Sequence, residues 1–499
     1  MCGIAGTIGI SDRAVVEQML EQLRHRGPDD GGTYTAPDGV LGHRRLSIVD
    51  VGGGHQPIVD ASGRRAIVAN GEIYNAAELR SGLGDKHEFS SRSDSEVALH
   101  LHTDAGAASA GQLDGMFAIA IAHDDCVLLM RDPVGIKPLY LGSYDDGTVF
   151  ASELKVLPFG TTDVAALPPG CVWSAPAGVQ RYHDLDDPEP IGGTLDEHAA
   201  RVRSMLERSV GRRLMADVPV GAFLSGGLDS SAIAAIARGK VDRLHTFSVG
   251  LEGSDDLAAA RVVAEHLDTD HHELVIRPEQ IIAELADIVA ALESFDQDLV
   301  RSAVPTWFCA RLAADHVKVI LTGEGADELF GGYRYHRDVL RDGGPEALRA
   351  ELHRSVTALH DVNLQRVDRM TMAHSVEGRV PFLDLDMIEV GLSVPVEHRL
   401  PRDGPEKLVL RRAVADLLPA EVVWRTKAQF DEGTGIADVL PELVASFASD
   451  GQDDDAYRRR YQADALRSRE ECVYHRMLVD AVPDPALVLA NVGRWQDRT

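Results

Sequence analysis

The chain has few cysteines and no pattern among them. Its five, Cys2, Cys126, Cys171, Cys309 and Cys472, are scattered, odd in number and never spaced as CxxC, which argues against a disulfide framework or a zinc site. No apolar run approaches the ~18 residues of a membrane span. No basic region followed by a long apolar stretch opens the chain, so no signal peptide is expected and a cytoplasmic location is. Basic residues are scarce: 50 Lys and Arg stand against 79 Asp and Glu, a net charge of -29. Without a basic stripe or patch, no nucleic-acid partner is expected, and no membrane partner either. A Walker A sequence, GxxxxGK[ST], is missing, and no GxGxxG follows a strand. Nucleotide chemistry of the usual γ-phosphoryl-transfer kind is therefore not expected. There is no internal repeat and no low-complexity tract.

What is present is organised in two parts. A length of 499 residues exceeds the ~250–300 residues of one core, so two domains are expected. The first is rich in short apolar runs between turn signals, such as 65–69, 116–122 and 127–130, with helical patterns at 15–24 and 94–102. An acidic linker carrying two prolines and two glycines follows at 184–193. Beyond it the pattern alternates: a helix at 195–214, a strand at 218–224, a helix at 230–238, a strand at 244–249, a helix at 256–267 and a strand at 317–321. That alternation predicts a doubly wound parallel sheet, followed by a mainly helical tail. The expected division is 2–185 and 186–499, an α+β part before an α/β part.

Three features carry chemistry. Cys2 becomes the first residue if Met1 is removed. An α-amine (pKa ~7.7–8.0) and a thiol (~8.5) then share one residue, a base beside a nucleophile. Second, Ser225-Gly226-Gly227-Leu228-Asp229-Ser230-Ser231 follows a strand and opens an Ala-rich helix. Its glycines let backbone amides approach phosphate oxygens at a helix N-terminus, and Asp229 is a candidate magnesium ligand. Third, Gly323-Glu324-Gly325-Ala326-Asp327-Glu328 crowds carboxylates into a glycine-punctuated turn after another strand. Ligands bind at such strand ends in open α/β sheets. Glu324 and Asp327 are candidates for general base and metal ligand.

These motifs occur in order with MCGIAG, 24–29 (RHRGPD), 45–50 (RLSIVD), 70–75 (NGEIYN) and 375–384 (SVEGRVPFLD). Together they resemble the glutamine-dependent asparagine synthetases of the B type, from Cys2 to about Asp438. The resemblance implies a four-layer αββα N-terminal-nucleophile glutaminase, joined to a PP-loop synthetase domain that splits ATP to AMP and pyrophosphate. It implies that Cys2 attacks glutamine, with Asn70 and Gly71 as oxyanion donors. Arg45, Glu72, Asp94 and Asn70 would bind the glutamine. ATP would contact Leu224, Ser225, Gly226, Gly227, Asp229, Ser230, Val249, Thr322 and Gly323. Asp229 and Asp327 would hold magnesium, Glu324 would act as base, and Lys427 would neutralise phosphate charge. Arg301 would bind the acceptor, and an ammonia tunnel would join the two sites. The small-molecule partners implied are glutamine, ATP and a carboxylate, with aspartate first; a homodimer is compatible with the resemblance.

Two places depart from the family pattern. Asp298-Leu299 stands where the family carries a threonine-rich run before the arginine matched by Arg301. Gly378 replaces a usual Ala or Val and is expected to enlarge a neighbouring space. Both leave a second acceptor class open: a specialised metabolite or a peptide side chain. Three other classes fit less well. A tRNA-thiolating pyrophosphatase would need a basic face and cysteine pairs. A non-catalytic homologue would have lost Cys2, Asp229 or Glu324. A sugar-phosphate aminating enzyme would have no use for adenylation motifs.

Overall fold

Alternation of side chains explains the first half. In the strand Gly115–His123 every second residue (Phe117, Ile119, Ile121) packs with the helices Ala76–Leu83 and Glu96–Ala105, and the intervening alanines (Ala118, Ala120, Ala122) face a second sheet. Both faces of the strand are buried, so it reads as one continuous apolar run. A computed structural model describes residues 2–84, 86–124, 126–175, 177–426, 430–447 and 453–495. It contains two six-stranded sheets and one five-stranded sheet.

The first six-stranded sheet runs in the order Thr162–Ala166, Tyr140–Tyr144, Gly147–Ala151, Gly3–Ile8, Gly39–Arg45, Asp30–Ala36. The second runs Gly178–Arg181, Cys171–Ser174, Cys126–Arg131, Gly115–His123, Arg65–Ile73, Ile58–Val59. Ile4, Ile8, Leu41, Val68, Leu129 and Phe150 fill the space between them. The helix Arg13–Gln22 covers the outer face of the first sheet through Val16, Met19 and Leu20. The αββα layering expected for this half is present.

The five-stranded sheet is parallel throughout, in the order Asp270–Val275, His245–Gly250, Val220–Phe223, Val319–Leu321, Glu377–Arg379. The strand order reverses between Val220–Phe223 and Val319–Leu321. The expected strands and helices are all found, with ends shifted by a few residues. Two strands lack an apolar signature: Asp270–Val275 and the fully buried Glu377–Arg379.

Leu46–Val49 forms no strand after Arg45; it is an irregular segment. Leu46 and Ile48 instead pack with Val319 of the parallel sheet. Their apolar surface is spent on the junction between the two halves. Charged groups are buried at that junction too. Arg26 pairs with Asp368 at 2.8 and 3.0 Å and with Glu153 at 2.9 Å, and Arg369 reaches Glu293 at 2.7 Å. Multiple hydrogen bonds per charge are what such burial requires.

Candidate active site

Two clefts gather the predicted residues. The smaller one lies in the first half and is lined by Cys2, Arg45, Gln56, Gly71, Glu72, Ser93 and Asp94 among others. Cys2 leads into the strand Gly3–Ile8, and its thiol is buried, which pushes its pKa up. Its backbone N–H donates to Asn70 Oδ1 at 3.1 Å, and its carbonyl accepts from Arg26 Nε at 3.0 Å. Asn70 is completely buried, yet its Nδ2 has no partner among the described residues. A buried donor left unpaired is costly; this one belongs to a side chain bonded to Cys2.

Gly71 has φ +142°, and a Cβ there would lie 1.9 Å from the Met116 carbonyl oxygen. Only glycine fits. Arg45 is fixed by the carbonyls of Val49, Asp50 and Val51 at 3.2, 2.7 and 3.2 Å. Two buried carboxylates line the same cleft. Asp94 accepts from the Ile73 N–H at 2.7 Å, and burial pushes its pKa up to about 6. Glu72 meets Arg379 at 3.2 Å; burial, then Asp94 and Glu377, holds it well above the ordinary carboxylate range.

The larger cleft is a cavity of about 290 Å³ at the C-terminal ends of the parallel strands. Both glycine-rich motifs open into it from the two strands that flank the order reversal, the position where ligands bind in such sheets. Leu224, Ser225, Gly227, Asp229, Ser230, Val249, Thr322, Gly323, Glu324 and Asp327 all line it. Gly226 is not among the lining residues: at φ +70° it backs onto Ala259, where a Cβ would come within 2.5 Å. Inside the first motif, the Ser225 N–H donates to Ser230 Oγ at 3.2 Å and the Gly227 N–H to Ser225 Oγ at 3.3 Å. The loop is thus shaped by its own hydroxyls.

Charged groups of this cavity that were not read from the sequence include Lys407 and Arg366. Lys407 is buried, and its Nζ meets Asp229 Oδ2 at 2.5 Å and Asp327 Oδ1 at 2.6 Å. The two carboxylates hold its pKa above the ordinary lysine value against the cost of burial. Arg366 pairs with Glu324. Glu328, from the third motif, does not line the cavity: it is buried, accepts from Tyr333 Oη at 2.5 Å, and is pushed up to about 7 by burial and then by Asp327. Lys407 lies in an ordinary run, 404–408, where nothing in spacing marks it. Lys427 lies outside the described residues.

Arg301 is not brought to the cavity. Its guanidinium is taken by Glu470, with Nε at 3.0 Å and Nη2 at 2.5 Å from the carboxylate. The helix Gln297–Ala314 turns Asp298, Leu299, Ser302, Thr306 and Cys309 toward the cavity, a helical stripe that leaves position 301 on the adjoining face. Gly378 does not open a space either. A Cβ there would meet Val367 Cγ1 at 2.8 Å; Val367, a cavity residue, already occupies that volume.

The clefts are linked by named contacts. Arg379 binds Glu377 at 2.5 Å and Glu72 at 3.2 Å. The adjoining Gly378 carbonyl accepts from buried Lys137 at 3.4 Å, and Gly378 abuts Val367 of the larger cavity.

Comparison with known proteins divides the chain in the same way. The family model described as "Glutamine amidotransferase domain" matches residues 1–167, and that described as "Asparagine synthase" matches 201–346 and 340–486. Asparagine synthetase B of Escherichia coli is 36% identical, over 97% of this chain and 92% of its own. A probable asparagine synthetase of Schizosaccharomyces pombe is 36% identical over 99% and 96%. Asparagine synthetase 3 of Arabidopsis thaliana is 37% identical over 87% and 79%. The glutamine-amidotransferase layering, the two loops at the reversal of the parallel sheet and likeness over nearly the full length agree: the chain belongs to the glutamine-hydrolysing asparagine synthetase family.

Proposed function

We propose that this protein makes asparagine from aspartate, using ammonia from glutamine and splitting ATP to AMP and pyrophosphate. The observation that carries this reading is the meeting of Ser225–Ser231 and Gly323–Glu328 at one cavity, in a chain whose other cleft holds Cys2. We assign residues 2–185 to the glutaminase and 186–499 to the synthetase. The last strand of the first half ends at Arg181 and the first helix of the second begins at Leu195.

In the glutaminase, removal of Met1 leaves Cys2 with both amine and thiol. The amine takes the thiol proton and the sulfur attacks the glutamine carboxamide carbon. Asn70 Nδ2 and the Gly71 N–H donate to the oxyanion, a contribution of ~2.7–4 kcal/mol for such a donor. Ammonia leaves, and water hydrolyses the γ-glutamyl thioester to glutamate. Arg45 holds the substrate carboxylate; Glu72 and Asp94 hold its α-ammonium.

In the synthetase, the aspartate side-chain carboxylate attacks the α-phosphorus of ATP and pyrophosphate departs. Ammonia then attacks the acyl-adenylate carbonyl, releasing AMP, with Glu324 accepting a proton. Two carboxylates, Asp229 and Asp327, converge on Lys407, and Asp229 Oδ1 is buried without a partner among the described residues, which supports a hard cation here. Magnesium held by Asp229 and Asp327 would neutralise charge on the leaving pyrophosphate. Lys407 supplies a fixed positive charge at the same carboxylates. Ammonia that reached solvent would be protonated and lost as a nucleophile, so we route it internally past Arg379, Gly378 and Val367. The location is the cytoplasm, where thiols such as these stay reduced; the five cysteines are unpaired.

The test supplies ATP, magnesium, glutamine and L-aspartate and measures pyrophosphate and asparagine together. Equal yields are expected. Pyrophosphate formed with another carboxylate but not with aspartate would reassign the acceptor.

A further inference from the structure

Outside both clefts, three imidazoles come together on the parallel sheet. His245 is the first residue of the strand His245–Gly250, and His272 lies on the neighbouring edge strand, Asp270–Val275. In register, Phe247 stands opposite His272. Side chains two apart share a strand face, so His245, Phe247 and His272 all project to one side. The helix Gln297–Ala314 packs over that side, and His316 follows it.

The separations suit ligation. His245 Nδ1 and His272 Nε2 are 3.1 Å apart, close to the ~3.3 Å expected between two nitrogens at ~2.0–2.1 Å from a tetrahedral ion. One ring nitrogen from each of the three histidines falls within 4.8 Å of the others. The His316 ring stacks on His272 with centroids 3.8 Å apart, so ligation requires it to turn edge-on; it is exposed just beyond a helix end and free to do so, while the other two are half-buried on strands. Arg243 bonds Asp270 beside the cluster, which offsets its charge.

We infer that His245, His272 and His316 form a binding site for a nitrogen-preferring divalent transition metal of the zinc class, with a fourth position left for water. The site differs in kind from the oxygen-rich loops of the cavity, which suit magnesium. It is one ring away from that cavity: Phe247 stacks on His272 with centroids 5.1 Å apart and also lines the cavity. Metal binding would stiffen the wall on which ATP-dependent chemistry takes place.

The probe is Co²⁺, whose visible absorption reports tetrahedral nitrogen ligation, with Zn²⁺ as competitor and the full-length protein freed of metal beforehand. One equivalent of Co²⁺ should develop the spectrum, Zn²⁺ should abolish it, and excess Mg²⁺ should not. His316→Ala, at an exposed position, should weaken binding by at least about tenfold, and His272→Ala should do the same. His55→Ala, a surface histidine paired with Asp30, should bind like the parent. Absence of a stoichiometric spectrum, or one that survives both His316→Ala and His272→Ala, overturns the assignment and leaves a hydrogen-bonded histidine cluster.

Discussion

Replacing Asn70 by alanine tests the glutaminase cleft at its tightest point. Asn70 is fully buried on the strand Arg65–Ile73, and its two polar side-chain atoms differ in their surroundings. Oδ1 accepts from the Cys2 backbone nitrogen at 3.1 Å, while Nδ2 has no partner among the described residues. The substitution removes an oxyanion donor, worth ~2.7–4 kcal/mol or ~100- to 1,000-fold in kcat. It also frees the Cys2 nitrogen, which in the trimmed enzyme is the base; one such bond contributes ~0.5–1.5 kcal/mol. Glutamate release should therefore fall by at least about 100-fold, mostly in kcat, because Arg45 and Asp94 still hold the substrate. Asparagine formation from added ammonium should stay within about twofold of the parent, since the cleft of the synthetase half is untouched. A kcat within about tenfold of the parent would refute the oxyanion role. Equal loss of ammonium-dependent synthesis in a folded protein would refute the independence of the two sites.

Lys407→Met leaves the Asp229 and Asp327 carboxylates facing each other without their buried cation. Breaking such a pair costs ~3–5 kcal/mol, so pyrophosphate formation should collapse while basal glutamate release persists; parallel assays of both products check this. Gly378→Val drives a methyl into Val367, whose Cγ1 would lie 2.8 Å from the new Cβ. Thermal melting should show a loss of ~1–3 kcal/mol, relieved when Val367→Ala accompanies a smaller Gly378→Ala change. For Asp94, burial raises the folded pKa to about 6, above the unfolded ~3.9. The folded state then binds the proton more tightly, so this group's contribution to stability falls by ~3 kcal/mol as pH rises from about 4 to about 6. Binding of the glutamine ammonium requires the ionised form, so the glutamine KM should climb as pH drops below about 6. In Asp94→Asn the KM should be high and flat across that range; a profile unchanged from the parent would remove Asp94 from the site.

Much of this was legible where apolar pattern and glycine-rich turns coincide. Met116–Ala122 reads as a strand because both its faces are buried, and the strand before Ser225 because a phosphate-cradling turn must follow one. The strands Asp270–Val275 and Glu377–Arg379 were not legible, because charged and histidine side chains satisfied by tertiary partners leave no hydrophobic period. Glu377 and Arg379 bind each other, and two histidines of the other strand bond across to Ser248 and His245. Leu46–Val49 is the converse: its apolar residues mark an interface, not a sheet. Lys407 was invisible because its role is set by two acids more than 75 residues away in the chain. Arg301 stands off the cavity lining because motif position fixes a residue's number and not its helical face; Glu470, which holds it, lies 169 residues on.

The central claim is that both clefts serve one reaction with aspartate as acceptor. The most direct measurement follows glutamate, pyrophosphate and asparagine in one vessel containing the purified protein, ATP, magnesium, amide-¹⁵N glutamine, L-aspartate and unlabelled ammonium. The account predicts equal pyrophosphate and asparagine, with the ¹⁵N label passing into asparagine undiluted by the free ammonium. Label diluted to the level of the bulk ammonium would contradict internal transfer, and pyrophosphate without asparagine would contradict aspartate as the acceptor.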